Sequence, residues 1–231
     1  MDINKLKEKC QNDDDFKEIS YLKEIHSQLI MEGCKLSKNM LDSRGNRESG
    51  WGVGEKRGGF DYIPPTGWKG FGLKVLDEYD NGNNDWLAMN GNPNEWAVAY
   101  HGIGHKMEVT IQEELNGQIV NVPLTLERVA HNIITGGFKY KLGPSHQGYE
   151  FNDDLNHPGQ KVGVGVYCSP SPNVMECYAS TSSTEINGKK YKMGFMMRVK
   201  PDKIRIGCET VWVLNSTTEE IRPYRILLKE I

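Results

Sequence analysis

Apolar residues recur along the chain in two rhythms, and the change between them falls near residue 43. From Asp14 to Gly33 they stand at Phe16, Ile19, Leu22, Ile25, Leu29 and Ile30, three or four apart, with Asp13 to Asp15 in front and Gly33 behind. That spacing lays one apolar stripe along a helix with an acidic start and a glycine stop. The stretch SRGNRESGWGVGEKRGG, residues 43–59, has no period, and its polar, glycine-dense composition predicts a linker or long loop. From YIPPTGWKGFGLKV onward the apolar runs are mostly of strand length, broken by Gly and Pro. In EWAVAYHGIG, residues 95–104, Trp96, Val98 and Tyr100 alternate with Ala97, Ala99 and His101, a buried strand that delivers an imidazole to its C-terminal end. Two helical faces interrupt the strands. In LTLERVAHNIITGG, Leu126, Val129, Ala130, Ile133 and Ile134 share one face ahead of Gly136 and Gly137, and SPNVMECYA is a short helix entered through Pro172. YKMGFMMRVK, ETVWVL and YRILLKEI read as closing strands. The pattern predicts an α+β chain: an N-terminal helical segment over 1–42, a glycine-rich linker over 43–65 and a strand-rich mixed domain with few helices over 66–231.

Composition narrows the partners. A chain of 231 residues is long enough to bury a core, and a net charge of −3 with a pI near 6.1 leaves no basic footprint for nucleic acid. No apolar run approaches the roughly 20 residues that span a bilayer, and MDINKLKEKCQNDDDF lacks the apolar segment of a signal peptide, so a cytoplasmic or nuclear protein without a membrane partner is expected. Cys10, Cys34, Cys168, Cys177 and Cys208 are odd in number, dispersed and free of CxxC pairs, which fits reduced thiols and no metal site. Asp77 to Ala88 imitates a calcium loop only in placing Gly82 sixth. Its third and twelfth positions are Tyr79 and Ala88, so the closing carboxylate is missing. GWGVG and GVGVY do not extend to GxGxxG, and GxxxxGK[ST], HExxH and GxSxG are absent from the sequence.

The segment GVGVYCSPSPNVMECYA, Gly163 to Ala179, sets Tyr167 at a strand end and Tyr178 on the next helix, eleven residues later. Two such rings either face each other across a gap for one flat heteroaromatic ring or pack as core and rim. Taken in order, AYHGIG, a helix ending in GGFK, GVGVYCSPSPNVMECYA, YKMGFMMRVK and the pair ETVWVL and IRPYRILLKEI resemble the catalytic domain of the PARP-like ADP-ribosyltransferases. This is the diphtheria-toxin type, with a His-Tyr-Glu triad. The likeness runs from about Trp96 to the C-terminus, and it implies that family's fold, NAD as co-substrate, and transfer of single ADP-ribose units to an acceptor expected to be protein. It assigns His101 to the hydroxyl of the nicotinamide ribose, the Gly102 backbone to the carboxamide, and Tyr167 and Tyr178 to the two faces of the nicotinamide ring. Glu209 is the expected triad carboxylate, with Val211 or Trp212 at that place under a shifted alignment and Glu219 and Glu220 further on. Ile103 stands where the family often has a hydroxyl residue, and Met175 where it usually has a serine. Each removes a hydrogen bond worth about 1 kcal/mol. A member that keeps the fold without turnover, acting as a scaffold, and an NAD glycohydrolase with water as acceptor are the other readings.

Overall fold

A computed structural model of the chain describes residues 40–48, 55–104, 110–115, 118–123, 125–139, 148–186 and 188–231; the helix expected over 14–33 lies outside them. The alternating run around His101 is strand β4 (Ala97–Ile103). It pairs antiparallel with β9 (Lys189–Val199), β9 with β12 (Ile221–Glu230), and β12 with β3 (Lys69–Gly72), giving the order β3-β12-β9-β4, while β8 (Thr184–Ile186) pairs with the start of β9. Both faces of β9 are covered, which explains why its sequence MGFMMRV is nearly continuous in apolar residues instead of alternating: Met193, Phe195, Met197 and Val199 face one core and Met196 the other, all at 0 % exposure. Pro223 has no N–H for the ladder, and the register of β12 on β9 shifts between Pro223 and Arg225.

One face of this sheet carries α1 (Leu126–Gly136), which buries Leu126, Ala130 and Ile133, starts with the Thr125 hydroxyl accepting from the Arg128 N–H, and stops at Gly137 with φ 72°. The same core takes in a second, three-stranded sheet of order β10-β11-β7, made of β10 (Arg205–Cys208), β11 (Val211–Leu214) and β7 (Val166–Cys168). The other face carries α2 (Pro172–Ala179), whose Met175 and Ala179 pack with Val98, Tyr100, Met196 and Leu227. Two helices and all-antiparallel pairing among the described residues make a strand-rich α+β protein. β5 (Thr110–Leu115) and β6 (Gln118–Pro123) form a separate ribbon.

The described parts of residues 43–65, expected as a linker or long loop, carry backbone pairings. Asp42 N–H donates to Gly72 C=O, Arg47 and Gly70 exchange both backbone hydrogen bonds, and β1 (Lys56–Arg57) pairs with β2 (Phe60–Asp61). These residues cover the outer edge of β3, whose unpaired N–H and C=O groups need partners whatever side chains supply them. ETVWVL also differs from a single strand, because Glu209 and Thr210 form the turn between β10 and β11.

Candidate functional site

Beyond β4 the large sheet does not continue as a full strand pair. Tyr100 N–H donates to Ser169 C=O at 2.7 Å and Ser169 N–H donates back to Tyr100 C=O at 3.0 Å; the chain then leaves through Ser-Pro into α2. Backbone polar groups alternate in direction along a strand, so the N–H and C=O of Gly102 point to the same edge as those of Tyr100, one step past the bridge where β7 has already departed. That edge offers one donor and one acceptor side by side. The missing side chain has a separate cause, for a Cβ at Gly102 would lie 2.2 Å from the Met175 carbonyl oxygen, 2.8 Å from Ala179 N and 2.9 Å from Tyr178 Cβ. Gly104 meets Tyr178 and Thr181, and Gly194 meets the Met175 sulfur, in the same way. These glycines form the bed for α2, and that bed places Tyr178.

A cavity of about 120 Å³ opens at this edge, and His101, Gly102, Tyr167 and Tyr178, separated in the sequence, all line it together with Tyr100, Cys168 and Ser169. It is smaller than the ~300–1,000 Å³ of sites that enclose a whole drug-sized ligand, so it has room for about one ring. The His101 side chain turns to the α1 side of the sheet, edge-on to Phe138 with centroids 5.2 Å apart. Its Nδ1 lies 2.9 Å from the Tyr167 carbonyl oxygen. A carbonyl can only accept, so Nδ1 carries the proton and Nε2 presents a lone pair. Burial holds the His101 pKa below the ordinary value against the opposing pull of that carbonyl, which keeps the ring neutral at pH 7. Tyr167 has its phenol pKa raised by burial and by the Glu150 carboxylate, so it is an O–H group throughout the physiological range.

The third expected member does not join the others. Glu209 is exposed in the β10–β11 turn and does not line the cavity; Thr210 and Val211, the next two residues, do. Register explains the offset: Trp212 pairs with Cys168 and Val213 with Tyr167, which brings the entry of β11 to the cavity and leaves Glu209 beyond it. Trp212 is buried against Phe60 with ring centroids 4.8 Å apart. Glu220 accepts from the Asn215 backbone and side-chain N–H groups in the next turn, and Glu219 faces a different groove. Ile103 is buried in the α1-side core, while Met175 is buried under the cavity.

Tyr149, absent from the residues expected at the site, lines the cavity from the segment after α1. Its hydroxyl donates to the Cys208 sulfur. Burial raises the Cys208 pKa, but hydrogen bonds from the Thr210 N–H and hydroxyl, from Tyr149 and from the Val211 N–H outweigh it, and the thiol lies below its ordinary value. No local motif marks Tyr149. Only the fold, which hydrogen-bonds residues 150–163 among themselves and to β10, brings it there. Among the described residues no three His, Cys, Asp or Glu side chains converge as metal ligands, and no helix is long and apolar enough to cross a membrane. Compared with protein-family models, curated proteins and solved structures, the chain matches none of them.

Proposed function

We propose that the cavity at the outer edge of β4 takes the nicotinamide end of NAD, and that the protein transfers ADP-ribose from it to an acceptor. The observation that carries this reading is the meeting of His101, Gly102, Tyr167 and Tyr178 at one single-ring cavity. A carboxamide needs one acceptor and one donor, which the edge groups of Gly102 supply; a ribose hydroxyl can donate to His101 Nε2; the two tyrosines offer aromatic walls. In the reaction the bond from ribose C1′ to the nicotinamide nitrogen breaks and its electron pair leaves with nicotinamide. A lone pair of the acceptor forms the new bond at C1′, and the acceptor's proton passes to solvent. His101 and the Gly102 backbone orient the reacting carbon, and closure by the aromatic walls limits attack by water.

One observation favours a second reading, a binding protein that holds NAD without turning it over: among the described residues lining the cavity there is no carboxylate, so none of them sets a fixed negative charge against the ribose as it becomes cationic. The test runs in two steps. Thermal unfolding with NAD should rise with concentration, by ~2.7 kcal/mol of added stability at 100 times the dissociation constant. Incubation with isotope-labelled NAD then separates the outcomes: labelled protein with released nicotinamide means transfer, free ADP-ribose means hydrolysis, and neither alongside a thermal shift leaves the binding protein. No shift at millimolar NAD overturns both readings.

A further inference from the structure

A second and larger groove lies at the opposite end of β4, roughly 20 Å away at ~3.3 Å per residue. Glu95 and Trp96 lead into β4 there, Lys200 to Asp202 leave β9, Glu219 and Arg222 enter β12, and the loop from Asp80 closes the rim. Its volume of about 710 Å³ is in the range of ligand sites. Part of its charge is already spent. Arg222 is buried, with its guanidinium 4.2 Å from the Trp96 centroid, 4.5 Å from Tyr79 and 5.0 Å from Trp86, and it is forked onto Asp80 at 2.7 and 2.8 Å. Glu95 lies 3.7 Å from Arg198 and 3.8 Å from Arg57. Asp202 lies 3.7 Å from Lys203. Among the described lining residues that leaves Asp85 and Glu219 against Lys200, a negative excess.

Two facts say what kind of cation suits it. Among the described residues no three acidic, His or Cys side chains come close enough to hold a metal ion, so the carboxylates fit several separated charges better than one point charge. Trp86, a wall residue only 2 % exposed, has an indole N–H with no hydrogen-bond partner, and a buried unpaired donor is costly until an acceptor oxygen reaches it. Spaced cations together with acceptor oxygens describe a basic polypeptide. We propose that this groove binds a Lys- or Arg-bearing segment of a partner protein, its cations against Asp85 and Glu219 and a backbone carbonyl on Trp86 Nε1. The proposal is independent of the chemistry at the first cavity.

Calorimetric titration of the full chain at low ionic strength, with acetylated tetra-lysine amide and with spermine, tests it, because the two probes match in charge and only the peptide has carbonyls. The peptide should bind at least fivefold more tightly than spermine. The double variant Asp85→Asn, Glu219→Gln should weaken both tenfold or more, whereas Asp153→Asn with Glu185→Gln, which removes equal charge elsewhere, should change neither by more than about twofold. Trp86→Phe should weaken the peptide about fivefold, the equilibrium equivalent of one hydrogen bond, and leave spermine unchanged. Absence of binding, equal losses in the two double variants, or peptide and spermine of equal affinity overturns the proposal; if Trp86→Phe does not fold, the other two comparisons decide.

Discussion

Replacing Gly102 with Ala adds one methyl group at the point where β4 touches α2. The new Cβ would stand 2.2 Å from the Met175 carbonyl oxygen, against 3.4 Å for ordinary contact, so the helix must withdraw by about 1 Å. The obstructing atoms are helix backbone, which cannot rotate aside as a side chain would, and this places the cost at the upper end of the ~1–3 kcal/mol typical of overpacking. Gly102 has no positive φ, so alanine returns up to ~1 kcal/mol through a less disordered unfolded state. The net loss of ~2 kcal/mol corresponds to a fall of ~4–8 °C in Tm for a domain of this size. Scanning calorimetry reads it directly. Gly136→Ala is the matched control: its Cβ meets only the Lys139 side-chain end at 3.9 Å, within α1, and alanine there should raise Tm by ~2–4 °C through helix propensity. An unchanged Tm in Gly102→Ala would refute the helix bed. In the folded variant Tyr178 moves with α2, so any ligand of the cavity should also bind more weakly.

Three further outcomes follow. His157 sits between two acceptors, the Asp154 carboxylate at 2.6 Å and the Asp202 carbonyl at 3.0 Å, and the Asp154 hydrogen bond raises its pKa; its stabilising contribution should therefore be complete below pH 6.5 and fade as pH rises through the higher folded value, so His157→Ala should lose more stability at pH 6 than at pH 9, and equal losses would show the ring to be neutral in the fold. Arg222→Lys keeps the charge but loses the fork on Asp80 and the planar stacking on Trp96, and should cost ~1–3 kcal/mol in urea unfolding with an unchanged m-value; a loss under 0.5 kcal/mol would mean that charge alone matters there. If the protein transfers ADP-ribose, Glu209→Gln should leave the rate within about twofold and Thr210→Val should lower it, since only Thr210 lines the cavity; the reverse order would return the role to Glu209.

Local order was legible wherever one local rule decided it. The alternation of Trp96 to His101 marked β4, the Gly136-Gly137 pair marked the end of α1, and Pro172 marked the start of α2, because period, caps and Pro geometry act within a few residues. His101, Gly102, Tyr167 and Tyr178 were singled out through the family resemblance, but their meeting at one cavity is decided by the pairing of Tyr100 with Ser169, a contact between segments far apart in the chain. The same holds for the reason behind Gly102. The sequence shows a small residue after a histidine, and only the packing shows that a helix backbone fills the space a side chain would need. Whether Glu209 or, under a shifted alignment, Val211 or Trp212 reaches the cavity stayed open in the sequence, since a shift at a strand entrance is fixed by register against β7 and not by residue type. Tyr149 and the groove beneath Arg222 left no local trace, because each is assembled from separate loops whose side chains acquire a common purpose only when the sheet brings them together.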